Sequence, residues 1–224
     1  MEHPGIVPVY GLGAYADGRP YYAMRFIRGK SLKDAVDDFH QAEGPQRDPG
    51  ERALEFRKLL TRLIGVCDAI EYAHCRGVIH RDIKPGNILR SGAHALVTDF
   101  GVAKALNAAM PSSGITSTGV AIGTPAYMAP EQLAGDPAAD HRLDIYAVGL
   151  RAYELLIGQS PFSALSPQAT MAAQLTRDPE PLSQFRKDVP PALSAIIMKC
   201  LAKIPDDRYQ NATALSAALD GVVL

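Results

Sequence analysis

The sequence lacks tryptophan, and only three of its 224 residues are cysteines. The cysteines, at positions 67, 75 and 200, are far apart and form no C-x-x-C pair, which argues against a disulfide framework or a zinc site. A large excess of charge of either sign is absent as well, because the formal net charge is −1. The composition therefore gives no electrostatic reason to expect a nucleic acid or a membrane surface as a partner.

Long apolar runs are also absent. No stretch reaches the roughly 18 apolar residues that a membrane span requires, and the most apolar one, 145–157, is interrupted by Arg151 and Glu154. The polar first four residues do not resemble a signal peptide, so we expect a cytoplasmic domain without a membrane segment. With 47% hydrophobic and 21% charged residues, the chain is typical of a globular domain, which excludes disordered, collagen-like and coiled-coil proteins.

The N-terminal part has the composition of β-strands. Residues 6–10 and 21–27 are rich in β-branched and aromatic residues, and a turn-forming segment lies at 16–20. We interpret Gly11-Leu12-Gly13 as a further turn, since a lone G-x-G is a weak motif. A polar segment at 41–50, with glycine and proline, is predicted to be a loop.

The rest of the chain is predicted to be mainly helical. From about residue 51, apolar residues recur at steps of three and four, which predicts an amphipathic helix of about six turns that ends near Gly77. Further helices are predicted at 144–157, 167–176, 191–202 and 211–219. A few strands followed by many helices predict an α+β fold and argue against a doubly wound sheet or a sandwich.

Three short motifs carry the functional information. Residues 80–87 read H-R-D-I-K-P-G-N, residues 99–101 read D-F-G, and residues 129–131 read A-P-E. Their order and spacing match the protein-kinase signature set. Two further segments, Gly123-Thr124-Pro125 and Asp144-x-Tyr146-x-x-Gly149, extend this match.

From residue 3 to about residue 217, the sequence resembles the bacterial eukaryotic-like serine/threonine protein kinases. This resemblance implies a kinase-like α+β fold with a mostly helical large lobe, and it implies ATP and Mg²⁺ as cofactors. It also implies protein substrates with serine or threonine acceptors, among them the kinase itself through autophosphorylation. The implied reaction is transfer of the γ-phosphate of ATP to these hydroxyl groups.

The resemblance assigns roles to five polar residues. Asp82 would accept or orient the proton of the attacking hydroxyl, and Lys84 would neutralise charge on the γ-phosphate. Asn87 and Asp99 would supply oxygen ligands for Mg²⁺, a hard cation that takes few protein ligands. Thr124 would hydrogen-bond to Asp82 and Lys84, which is typical of the serine/threonine class.

The adenine end of the nucleotide is placed by the same resemblance. Met24 corresponds to the gatekeeper, and the hinge follows it as Arg25-Phe26-Ile27, of which Phe26 and Ile27 would contact the nucleotide through the backbone. Leu89 would form the floor beneath the adenine. Ser31 is a candidate for the ribose edge, although it is equally well suited to cap a helix.

The segment from Asp99 to Glu131 corresponds to the activation segment. Arg81 would pair with a phosphate in this segment, and we hypothesise autophosphorylation at Thr116 or Thr118. The alternative is a solvated serine- and threonine-rich loop without modification.

Three further residues are expected to be structural in the same family. Glu131 and Arg208 would form a buried ion pair, and Asp144 would hold the backbone of the catalytic loop. Arg151 departs from the family pattern, which has an aliphatic residue at this place. It must reach solvent or a carboxylate, since a buried unpaired charge is costly.

The sequence also departs from the family at its N-terminal side. The glycine-rich loop, the V-A-I-K lysine and the helix glutamate that pairs with it are not found. We therefore expect residues 1–30 to be the remnant of a small lobe, reduced to its last two strands and hinge, with exposed apolar surface. Residues 31–224 would form the large lobe, with the catalytic loop at 80–87 and the activation segment at 99–131.

Two functions remain open on the sequence alone, beside a weaker third alternative, a folded scaffold without a present function. The retained residues 82, 84, 87 and 99 favour a serine/threonine protein kinase, as an N-terminally truncated chain with impaired activity. The missing lysine favours a catalytically inactive binding or docking module that uses the large lobe to hold partner proteins.

Overall fold

Residues 2–92, 94–100, 125–163 and 166–222 are described by the computed structural model. Within these ranges the fold consists of two small antiparallel sheets and seven α-helices, which confirms the expected α+β class. The elements are the strands β1 (Val9–Ala14), β2 (Pro20–Met24), β3 (Ile88–Ser91) and β4 (His94–Val97), and the helices α1 (Leu32–Gln41), α2 (Pro49–His74), α3 (Pro130–Leu133), α4 (Arg142–Ile157), α5 (Pro167–Thr176), α6 (Pro191–Cys200) and α7 (Ala212–Asp220).

The core of the molecule forms around helices α2 and α4. Helix α2 begins at Pro49, whose missing N–H costs nothing at a helix start, and Asp48 caps it by accepting a hydrogen bond from the Glu51 amide at 2.8 Å. Gly77 follows the end of the helix with a φ of 71°, the left-handed conformation expected there. Helix α4 is buried along almost its whole length, because α2, α6 and other elements surround it.

The N-terminal hairpin corrects two predictions. The first strand is Val9–Ala14 and not residues 6–10, and Gly11-Leu12-Gly13 lie inside it and not in a turn. Tertiary packing explains the difference: a Cβ on Gly13 would lie 2.6 Å from the ring of Tyr21, so the glycine lets this ring cross the neighbouring strand. Several large apolar side chains of the hairpin region are exposed, as expected: Val9, Tyr10, Leu12, Tyr15, Tyr21, Met24 and Phe26.

Backbone hydrogen bonds join the hairpin to the helical part. The Val7 amide donates to the Val97 carbonyl at 2.9 Å, and the Val97 amide donates to the Gly5 carbonyl at 2.8 Å. A second bridge pairs Ser31 with Leu89. The hairpin is thereby fixed next to the end of β4, two residues before Asp99.

No helix among the described residues is both long enough and apolar enough to span a lipid bilayer.

A buried ion pair joins helix α3 to the segment between helices α6 and α7. Arg208 donates from Nη1 to Glu131 Oε1 at 2.7 Å and from Nη2 to Oε2 at 2.8 Å. The same guanidinium donates to the carbonyls of Arg142, Ala202 and Lys203 at 2.8–3.0 Å. All five N–H groups of Arg208 thus have an acceptor, so burial leaves none of them unpaired.

Breaking this pair should cost more than replacing both partners. We expect Arg208→Met to lower the free energy of unfolding by about 3–5 kcal/mol, because it leaves the Glu131 carboxylate buried without a cation. The double variant Glu131→Met/Arg208→Met should recover part of that loss. Urea denaturation followed by circular dichroism measures both, and a double variant as destabilised as the sum of the single variants would contradict the prediction.

Candidate active site

A single buried carboxylate holds the backbone of the catalytic loop 80–87. Asp144, on α4, accepts hydrogen bonds from the backbone amides of His80 at 2.8 Å and Arg81 at 2.9 Å. His74 Nε2 lies 2.8 Å from the same carboxylate, and the ring nitrogen must be the donor because a carboxylate only accepts. Asp144 is fully buried. Arg81 has a φ of 70°, unusual for a residue with a side chain, and the hydrogen bonds to Asp144 stabilise that conformation.

A second contact joins the catalytic loop to the D-F-G motif. His80 Nε2 lies 2.9 Å from the Thr98 carbonyl oxygen. The His80 ring also packs against Phe100, with 4.6 Å between the ring centroids. The buried imidazole therefore fixes the position of residues 98–100 relative to the catalytic loop.

Asp82, Lys84 and Asn87 form one hydrogen-bonded group. Lys84 Nζ donates to Asp82 Oδ2 at 2.6 Å. Asn87 Nδ2 donates to the Asp82 carbonyl at 2.9 Å and to Asp82 Oδ2 at 3.2 Å. The turn Pro85–Asn87 brings the amide back to the aspartate. The side chains of Asp82 and Lys84 remain 24% and 32% exposed, so a substrate can reach both.

Asp99 lies beside this group. The Thr98 amide donates to the Asn87 carbonyl at 3.0 Å, which places Asn87 and Asp99 at adjoining positions. Asp99 has a φ of 64°, and its Oδ1 accepts hydrogen bonds from the Tyr22 hydroxyl and from Thr98 Oγ1. Burial is the larger cause and the nearby Asp99 carboxylate the smaller one; together they raise the pKa of Tyr22 to about 12. The hydroxyl therefore remains a hydrogen-bond donor at neutral pH.

The residues predicted for the adenine end lie near the hinge but differ in exposure. The Met24 sulfur lies 3.2 Å from Thr98 Oγ1. Phe26 is 83% exposed, and Leu89 is half-buried. Ser31 caps α1: its Oγ accepts from the Asp34 amide, and the Asp34 carboxylate accepts from the Ser31 amide. The structure thus gives Ser31 the capping role, which leaves its role at the ribose as an untested prediction.

Sequence comparison agrees with this geometry. The chain matches the protein kinase domain over residues 1–219. It belongs to the protein kinase family. It is 37% identical over 223 residues to the serine/threonine-protein kinase PknB of Mycobacterium leprae, and 38% identical to PknB of Mycolicibacterium smegmatis, covering 98% of this chain in both cases. A probable PknB of Corynebacterium glutamicum is 38% identical over 227 residues. The chain spans about a third of the length of these curated relatives.

Three residues predicted for the kinase site lie outside the described residues. These are Thr124, predicted to contact Asp82 and Lys84, and the candidate phosphorylation sites Thr116 and Thr118. Arg81, the predicted partner of a phosphate, has an exposed side chain with no ion pair among the described residues, while its carbonyl accepts from Gln132 Nε2 at 2.9 Å.

Of the two alternatives expected for Arg151, solvent or a carboxylate, the structure shows a carboxylate, although Nε and Nη2 of the guanidinium have no hydrogen-bond partner among the described residues. The side chain is almost fully buried, pairs with Glu154 and stacks on the Tyr127 ring, with 3.7 Å between the guanidinium carbon and the ring centroid. Burial lowers the pKa of Arg151 below its usual value, and the Glu154 carboxylate opposes this shift.

Tyr22 is a site residue that the sequence interpretation missed. The available signal was strand periodicity: Tyr22 and Met24 are two residues apart in one strand and therefore share a face. With Met24 expected at the nucleotide site, the same alternation places Tyr22 on the face that carries Met24.

The support of the catalytic loop by Asp144 can be tested directly. We expect Asp144→Asn to lower the free energy of unfolding by about 1–3 kcal/mol, because an amide offers one acceptor oxygen where the carboxylate offers two. The amides of His80 and Arg81 should also exchange with deuterium faster. Asp136→Asn is the matched control, since the Asp136 carboxylate accepts one backbone amide, that of Ala138, at the surface. Equal effects of the two variants would refute the role of Asp144.

Proposed function

We propose that this chain transfers the γ-phosphate of ATP to serine and threonine hydroxyl groups of proteins. The observation that supports the proposal most is the group formed by Asp82, Lys84 and Asn87, in which a carboxylate and an ammonium stand 2.6 Å apart and are partly exposed. Phosphoryl transfer needs positioned charges more than covalent chemistry, because its transition state is loose and highly charged. This group supplies such charges.

Each residue of the group would have a distinct task. Asp82 Oδ2 would accept the proton of the attacking hydroxyl as the hydroxyl oxygen bonds to the γ-phosphorus and ADP departs. Lys84 would move from Asp82 towards the phosphate oxygens and neutralise their charge. Asn87 would keep the Asp82 carboxylate oriented through its amide N–H, which already donates to Asp82 Oδ2.

The side-chain oxygens of Asn87 and Asp99 that accept no hydrogen bond from the described residues could bind magnesium. Asn87 uses its amide nitrogen internally, and its side-chain oxygen has no hydrogen-bond donor within the described part of the chain. Asp99 Oδ2 likewise has no donor there, whereas Oδ1 accepts two. Within the described ranges each residue thus keeps one side-chain oxygen without a hydrogen-bond donor, and oxygen atoms are the ligands that Mg²⁺ prefers. When bound, the cation would neutralise charge on the ATP phosphates.

The nucleotide base would lie against the hinge. Met24, Phe26, Ile27 and Leu89 would contact the adenine, the middle two through their backbone. Since the reaction consumes ATP, we propose that it takes place in the cytoplasm.

A phosphotransfer assay tests the proposal. Purified protein with Mg²⁺ and radiolabelled ATP should label serine or threonine, and not tyrosine, in a general protein substrate. Asp82→Asn should reduce the rate by about 10²- to 10⁴-fold, the range for general-base catalysis. Asp220→Asn, at the exposed end of α7, is the control and should keep the rate. Absence of transfer, together with no thermal stabilisation by Mg-ATP at millimolar concentration, would favour the binding or docking module.

Autophosphorylation is a second testable part of the proposal. After incubation with ATP, mass spectrometry should find phosphate on Thr116 or Thr118, where it could pair with the exposed Arg81 side chain. The Asp82→Asn variant should carry no phosphate, and a double Thr116→Ala/Thr118→Ala variant should lose the modified peptide. Complete absence of phosphate from residues 110–125 of the unsubstituted chain would contradict this part.

A further inference from the structure

Tyr22 brings a hydroxyl from the N-terminal hairpin into the candidate metal site. The residue lies on β2, opposite Leu12 of β1, and is half-buried. Its hydroxyl donates a hydrogen bond to Oδ1 of Asp99, 77 positions further along the chain. A contact between such distant parts of the sequence requires that the hairpin be held accurately over the D-F-G motif.

The attachment of the hairpin provides this accuracy. The two backbone hydrogen bonds between residues 5–7 and Val97 fix the hairpin beside the end of β4. Thr98 Oγ1 adds a side-chain link, because it lies 3.2 Å from the Met24 sulfur and 3.4 Å from Asp99 Oδ1. Tyr22, from the hairpin, and Thr98, the residue before Asp99, therefore approach the same carboxylate oxygen.

The two oxygens of the Asp99 carboxylate consequently differ in the hydrogen bonds that they accept. Oδ1 accepts from Tyr22 and Thr98, whereas Oδ2 has no hydrogen-bond donor among the residues whose positions are described. The backbone of Asp99 is in the left-handed region, which a residue with a side chain adopts at some cost unless its surroundings support it. Holding one oxygen fixes the rotation of the carboxylate and leaves the other available.

We propose that Tyr22 is a positioning residue that fixes the carboxylate of Asp99 so that Oδ2 faces the divalent cation. The inference rests on the proposed function, since it assumes that Asp99 binds Mg²⁺. Groups that hydrogen-bond to a metal-binding side chain orient it before the metal arrives, and their removal typically weakens metal affinity about 10- to 100-fold.

Two neighbouring tyrosines allow a matched experiment. Tyr22→Phe removes the hydroxyl that contacts Asp99. Tyr21→Phe removes a hydroxyl from the adjacent residue, whose ring packs against Tyr15 with 4.8 Å between centroids and whose hydroxyl has no hydrogen-bond partner in the described ranges. Mn²⁺ serves as the probe, because the electron paramagnetic resonance signal of the free ion reports how much is bound. Asp99→Asn gives the background from other sites.

We expect the unsubstituted chain and Tyr21→Phe to bind Mn²⁺ with equal affinity, and Tyr22→Phe to bind it about 10- to 100-fold more weakly. Affinity for ADP in the presence of EDTA, and the midpoint of thermal unfolding without metal, should differ little between the two tyrosine variants. These two measurements separate positioning of the carboxylate from a general structural role.

Each of the other possible results would contradict one defined part of the proposal. Unchanged Mn²⁺ affinity in Tyr22→Phe would refute the role of Tyr22 and leave the metal site intact. Tighter binding would also refute it, since Tyr22 would then compete with the cation. If Mn²⁺ binding by the unsubstituted chain does not depend on Asp99, the metal site of the proposed function fails and the role of Tyr22 fails with it.

Discussion

The geometry of the catalytic loop depends on the buried carboxylate of Asp144. Two consecutive backbone amides, of His80 and Arg81, point at it, and His74 donates from the side. The left-handed backbone conformation of Arg81 is costly for a residue with a side chain, and these hydrogen bonds offset that cost. Because the carboxylate belongs to α4, the most buried helix, the position of Asp82 is set by the core of the molecule and not by the surface loop that carries it.

Two kinds of support thus meet at the candidate site. Asp82 is positioned from the helical core, through Asp144 and the group that includes Lys84 and Asn87. Asp99 is positioned from the N-terminal hairpin, through Tyr22, and from Thr98 beside it. His80 joins the two halves, since it contacts both the Thr98 carbonyl and the Phe100 ring. A displacement of the hairpin would therefore affect Asp99 more directly than Asp82.

The sequence predicted the helices well because their signals are local. Helix α5 has the predicted bounds, and its start follows from a capping serine, Ser166, and a proline at the first helical position. The motifs likewise identified the residues that the structure brings together at the candidate site. The first strand was misplaced because Gly11 and Gly13 resemble turn residues, whereas the reason for Gly13 is the ring of Tyr21 on another strand. Strand alternation places Tyr22 on the same face as Met24, but its partner Asp99 is distant in sequence, so the sequence does not predict the hydrogen bond between them.

Arg151 imposes a constraint on how this sequence can diverge. An aliphatic side chain at this place of α4 would need only apolar neighbours, and many combinations provide them. A buried guanidinium instead needs the face of an aromatic ring at Tyr127 and the charge of Glu154 at the same time. Loss of either partner alone would leave a buried cation with one contact fewer, so the presence of arginine here should restrict the residues tolerated at positions 127 and 154.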